Sequence, residues 1–110
     1  GETSTQAVNL PETFAYLLGL HVQKRQALND NDRRYLVYHG LTREDRKVTI
    51  IWRETEGWNE KDYKRDKDFV ATKNLTEGMD EVYVNGDSYI PGARALEPIF
   101  KARMFAEAEA

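Results

Sequence analysis

Apolar and polar positions along this chain fall into blocks with two different periods. In NLPETFAYLLGLHVQKR, residues 9–25, Phe14, Leu17, Leu18 and Val22 recur at helical spacing, the pattern of an amphipathic helix with one face on a core. Asn9 is placed as its N-cap, Pro11 falls in the first turn and Glu12 complements the helix dipole there. Lys24 and Arg25 fall in the last turn of the same expected helix. ALNDNDRR then reads as a polar turn cluster. RRYLVYHG and KVTIIWRET, rich in β-branched and aromatic residues, read as two strands joined by GLTREDRK in a long-looped antiparallel hairpin. The charged stretch after Trp58 predicts a helix over about 59–73, with Trp58, Tyr63, Phe69 and Val70 on its inner face. EVYVN predicts a strand. ARALEPIFKARMF places Leu96, Ile99, Phe100 and Met104 on one helical stripe, with Pro98 restricting its first turn.

The expected order is α-β-β-α-β-α, a small α/β domain in two or three layers. Its short mixed sheet has about three strands, with helices packed on it. A helix between the second and third strands implies a right-handed crossover with those strands parallel. With 110 residues the chain suits one domain over residues 10–105. Residues 1–9 read as a tail or tag remnant and 106–110 as a frayed end.

Composition narrows the classes of function. The 16 Lys and Arg against 19 Asp and Glu give a net charge of -3, which excludes a domain that grips nucleic acid by bulk positive charge. A local basic face stays open. The absence of cysteine excludes disulfides, thiolate zinc sites and cysteine nucleophiles, and makes a cytoplasmic setting the expectation. No apolar run approaches the roughly 20 residues of a membrane span, so no membrane partner is expected.

The residues with chemical capacity do not assemble into a catalytic pattern. His21 and His39 lack the close spacing of a metal-binding pair. Glu54, Glu56 and Asp87 stand near strand ends, but the second strand has no acid-x-Lys step of the kind a PD-(D/E)xK nuclease uses to hold its metal and phosphate. NGDSYIPG, residues 85–92, has two glycines but neither the lysine of a P-loop nor the third glycine of a dinucleotide fingerprint. Gly86 there is expected to supply a positive φ after Asn85. Ser88 lacks the strained elbow of a nucleophile. No catalytic, cofactor-binding or metal-ligating residue is therefore assigned. Arg33, Arg34, Arg43, Arg46, Arg53 and Trp58 are candidate contacts for DNA or a partner, because arginines interleaved with aromatics suit phosphates and stacked bases. The bland alternative is that the strand aromatics fill a small core and the arginines are rim charges.

Four blocks carry a family resemblance: ETFAYLLGL, RRYLVYHG, VTIIWRETEG and DEVYVNGDSYIPGARALEPIFKARMF. Together they resemble the extreme C-terminal region of Mod-type adenine-specific DNA methyltransferases, the modification subunits of prokaryotic type III restriction-modification systems. The resemblance covers about residues 10–105. Its most specific part is the last block, where Asn85, Gly86, Asp87, Ser88, Pro91, Gly92 and Arg94 form a marker loop. The resemblance implies a parent enzyme that uses S-adenosylmethionine and flips its target adenine. The Phe-x-Gly and Asp-Pro-Pro-Tyr motifs for those tasks do not occur here: Phe14, Phe69, Phe100 and Phe105 are not followed by the required glycine, and there is no Asp-Pro step. The resemblance thus implies a non-catalytic C-terminal module without a cofactor of its own. Its expected partners are the rest of the methyltransferase chain, a second copy, a restriction subunit and DNA. The alternative is a free-standing small protein that binds a nucleotide or phosphate through the 85–92 loop.

Overall fold

The first helix stops well before its stripe of leucines predicts. The computed structural model describes residues 10–97, and in it α1 spans only Leu10–Leu17. Gly19 adopts φ +69, its N–H donates to the Tyr16 carbonyl, and the Leu20 N–H donates to the Ala15 carbonyl at 2.9 Å. That pair of bonds is a Schellman stop, for which a left-handed glycine is the usual residue. Leu20 and Ala15 complete it by burying together. The chain leaves extended, so HVQKRQALND forms the strand β1, His21–Asp30, in place of the expected last helical turns and part of the expected turn cluster. His21 therefore lies exposed on a strand rather than beside a helix face.

The remaining elements are β2 (Arg33–Leu41), β3 (Lys47–Arg53), α2 (Glu60–Thr72), β4 (Glu81–Val84) and β5 (Ala93–Ala95). They build one five-stranded sheet in the order β1-β2-β3-β4-β5. The β2–β3 hairpin is antiparallel, as its loop length implies, and β3 and β4 are parallel across α2. Two strands exceed the expected three. β1 comes from the shortened helix, and β5 takes Ala93–Ala95, where a helix was expected, into parallel pairing with β4. The expected helical stripe at Ile99, Phe100 and Met104, and the N-cap Asn9, lie outside the described residues.

A helix packs on each face of the sheet. Strand alternation sends Tyr38, Val48, Ile50 and Tyr83 to the face with Phe14 and Ala15 of α1. It sends Tyr35, Val37, Ile51, Val82 and Val84 to the face with Val70 of α2 and Leu75. The boundaries of α2 agree with its charge pattern to within a residue. Asn59 and Asp62 form a reciprocal capping box at its start. At its end, Leu75 N–H reaches the Val70 carbonyl and Asn74 N–H the Ala71 carbonyl. Asn74 holds φ 55 there, a second Schellman stop. The outer edge of β1 is protected by a register shift between Val22 and Lys24 and by the charges of Lys24 and Arg25, features that discourage pairing with foreign strands.

Gly40 sits where β2 passes the α1–β1 turn. A Cβ built on it would lie 2.4 Å from the His21 carbonyl oxygen and 2.8 Å from Leu20 Cγ, distances that require backbone movement. Gly40→Ala is expected to destabilise the fold by roughly 1–3 kcal/mol. Urea melts of the two proteins measure this, and an unchanged midpoint would show that the turn yields freely.

Candidate functional site

Parallel strands place ligand sites beyond their carboxyl ends, which here means the ends of β3 and β4. β3 sends Thr49, Ile51 and Arg53 toward α2, and Arg53 arrives fully buried. Its Nη1 donates to Asp66 Oδ2 at 2.5 Å, with both side chains at 0% exposure. The second Asp66 oxygen accepts the Tyr35 hydroxyl at 2.6 Å. Burial first, and then the Asp66 carboxylate, push the Tyr35 phenol far above its ordinary range. Arg53 Nη2 donates to the Asn85 carbonyl and to the Asp87 carbonyl at 2.9 Å. Asn85 returns the link: its Oδ1 accepts the Arg53 backbone N–H at 2.8 Å and its Nδ2 donates to the Arg53 carbonyl. The Asn85 side chain thereby extends the β3–β4 pairing beyond its last backbone pair, Ile51 with Val84.

The rest of the 85–92 loop is also bonded internally. Gly86 has φ +74, as its place after Asn85 implies, and its N–H donates to the Glu97 carboxylate at 2.9 and 3.0 Å. The Ser88 Oγ accepts the Ile90 N–H. Pro91 and Gly92 form a turn closed by the Ala93 N–H on the Ile90 carbonyl. Arg94 follows on β5, exposed and opposite Tyr83.

Trp58 lies over this buried network. The guanidinium carbons of Arg33 and Arg53 each stand 5.5 Å from its ring centroid, and Tyr63 meets it edge-on at 5.3 Å. Tyr63 in turn neighbours Tyr89 at 6.2 Å, and Tyr89 is 47% exposed. Arg33 is also bonded to Asp62, and Arg65 to Asp30 at 2.9 and 3.1 Å. The Trp58 ring is therefore already engaged by two guanidinium groups.

The six candidate contacts do not share one surface. Arg33, Arg34 and Trp58 meet at the end of the sheet just described, around a groove they line with Glu54. Arg53 lies beneath them and faces inward. Arg43 and Arg46 sit in the β2–β3 loop, at the other end of a 9-residue strand. At about 3.3 Å per residue, the two groups stand roughly 25 Å apart. Arg46 is held by Glu81 there, beside a groove that includes Tyr16 and Arg43.

Sequence reading passed over Asp66. Its signal was present, because Asp66 lies three residues after Tyr63 and four before Val70, on the inner stripe of α2. Among the described residues, no group of three His, Asp or Glu side chains is placed to hold a metal ion, and no helix is long and apolar enough to cross a membrane.

The surface ion pairs set the response to acid. The Arg25 partner draws the Glu12 carboxyl below its usual range, and Arg65 does the same to Asp30. The Asn59 N–H, followed by Arg33, lowers Asp62, and the Tyr83 hydroxyl with Arg46 lowers Glu81. Carboxyls lowered by folding add stability that is present above their unfolded values, near pH 4, and lost as pH falls through the folded ones. Thermal melts should therefore be insensitive to these groups between pH 7 and 5 and fall below about pH 4. Arg65→Gln should flatten that fall, and an identical acid limb in the variant would remove Asp30 from the account.

Searches with family models, characterised proteins and solved structures return no match to this chain.

Proposed function

We propose that this chain is a non-catalytic C-terminal module of a site-specific adenine DNA methyltransferase of the type III Mod kind. Its work is docking to the rest of the enzyme, to a second copy or to a restriction subunit, with DNA contact as a further role. Methyl transfer and S-adenosylmethionine binding belong, in this reading, to other parts of the parent protein. The observation that carries the proposal is the state of the marker loop. Its Asn85 and Asp87 carbonyls are held by Arg53, and its Gly86 N–H by Glu97. A loop whose Asn85 and Asp87 carbonyls and Gly86 N–H are taken up by Arg53 and Glu97 ties strands together, which fits a structural module better than a cofactor site. Two large aromatics exposed at separate places, Tyr16 at 76% and Tyr89 at 47%, suit surfaces that meet another protein.

The test is association. Sedimentation of this chain alone, with a Mod-type methyltransferase lacking its C-terminal region, and with a restriction subunit should reveal a complex in at least one mixture. Tyr16→Ser or Tyr89→Ser should weaken it. A chain that stays monomeric in every mixture, and leaves duplex DNA unshifted at low salt, would end the proposal. Calorimetry with S-adenosylmethionine, ATP and phosphate addresses the 85–92 loop directly. Heat that disappears in Asp87→Ala would favour a nucleotide-binding protein instead.

A further inference from the structure

A third groove, of about 390 Å³, runs on the α2 face between β1 and the turn that follows α2. Its polar lining holds two cations, Lys24 and Lys73, with Gln26, His39, Asn74 and Glu77. Lys24 comes from β1, His39 from β2 and Lys73 from the C-cap of α2, with Glu77 as the one carboxylate among the described residues. Leu28 and Leu75 supply an apolar floor. Arg25, Arg33, Arg46 and Arg65 each have a carboxylate partner, whereas among the described residues Lys24 and Lys73, like Arg34 and Arg43 in the other two grooves, form no ion pair, and Lys73 lies near the Phe69 ring.

His39 faces this space from a fixed position. Its Nδ1 is 2.8 Å from Thr49 Oγ1, and the Thr49 hydroxyl also lies 3.4 Å from the Leu75 carbonyl. Thr49 thus anchors one ring nitrogen and orients the imidazole. Lys24 pairs with His39 in the strand register, so an ammonium stands beside the ring. Burial, and then Lys24, hold His39 below its ordinary range. The negative end of the α2 dipole is blunted by the Schellman bonds to the Val70 and Ala71 carbonyls.

We propose that the Lys24–His39–Lys73 groove binds a phosphate group. Two ammonium groups that form no ion pair among the described residues neutralise the anion, and the anchored imidazole adds a third contact when the bound anion draws a proton onto its free ring nitrogen. Glu77 also lines the groove and disfavours an anion placed directly beside it. The phosphate is that of a DNA backbone if the methyltransferase reading above holds, and a free phosphate ester otherwise. The groove itself does not depend on that reading.

The ring protons of His39 report the site directly, with exposed His21 as an internal control. Titration with inorganic phosphate, followed by NMR, should shift the His39 signals and raise its pKa, while His21 stays in place. Lys24→Gln/Lys73→Gln should abolish the shift. Both lysines are exposed, so the double variant should fold, and its urea midpoint checks this. In parallel, binding of a labelled 20-base-pair duplex is measured by anisotropy between 50 and 200 mM salt. The double variant should lower affinity and reduce the slope of log K against log salt by about 2, near 0.9 per lost contact. A phosphate response without duplex binding supports the groove and removes the DNA role from the proposed function. Unshifted His39 signals, or a response that survives the double substitution, overturn the inference.

Discussion

Arg53→Met should destabilise the fold by about 3–5 kcal/mol, because it leaves the Asp66 carboxylate buried without its partner. Both side chains are fully buried, so water cannot take the place of the guanidinium. The damage extends past the ion pair, since the Asn85 and Asp87 carbonyls lose their donor as well. Small domains commonly hold only 5–15 kcal/mol in total, so the variant should sit near its unfolding threshold. Arg53→Met combined with Asp66→Leu should recover a large part of the loss, because a buried pair replaced on both sides by apolar groups is often neutral. Urea denaturation of the single and double variants measures this. A single variant that loses less than about 1 kcal/mol would mean that Asp66 is accommodated in some other way. The double variant should still show a loosened 85–92 loop, visible as faster hydrogen exchange at Gly86, because no apolar side chain can hold two carbonyls.

Phe14→Ala is the other large effect expected, at about 3–5 kcal/mol. α1 has 8 residues, fewer than an isolated helix needs to persist in water. Its stability must come from packing, and Phe14, 1% exposed, is its principal anchor among Tyr38, Val48, Ile50 and Tyr83. The loss should concentrate locally. Amides of residues 14–20 should exchange at rates near those of an unstructured peptide, while those of β2 and β3 keep much of their protection. Uniform loss of protection through the sheet would instead show that α1 and the strands unfold as one unit.

How far the fold was legible varies with the strength of each local signal. β2, β3, β4 and α2 were read nearly at their observed boundaries, because strand alternation, a capping pair and dense β-branched residues agree there. The antiparallel hairpin and the parallel crossover followed from their connections. β1 was misread because its sequence is that of a half-exposed edge. Lys24, Arg25 and Gln26 carry no inward stripe, and the leucines before them fitted a helix that Gly19 ends. Leu-Gly-Leu was a stop signal of the usual kind, outweighed by the apparent continuation to Val22. β5 was misread for a different reason. Three residues, Ala-Arg-Ala, have no period of their own, and only the open side of β4 makes them a strand.

The candidate contacts divide in the same way. Residue types alone grouped six arginine and tryptophan positions, and the β2–β3 loop then carried Arg43 and Arg46 to the far end of the sheet. Local chemistry fixed what each segment prefers: where helices are capped, which strands alternate, that NGDS must turn, and that no P-loop or thiolate site is present. Pairing across the sheet decided what distance along the chain conceals. It turned Arg53 from a candidate contact into a buried strut, placed Asp66 and Tyr35 against it, and left Lys24 beside His39 with no ion pair among the described residues. Local preferences act over a few residues, whereas burial and charge pairing depend on which distant residues the sheet brings side by side. Those two quantities could therefore be read only after the strands were in register.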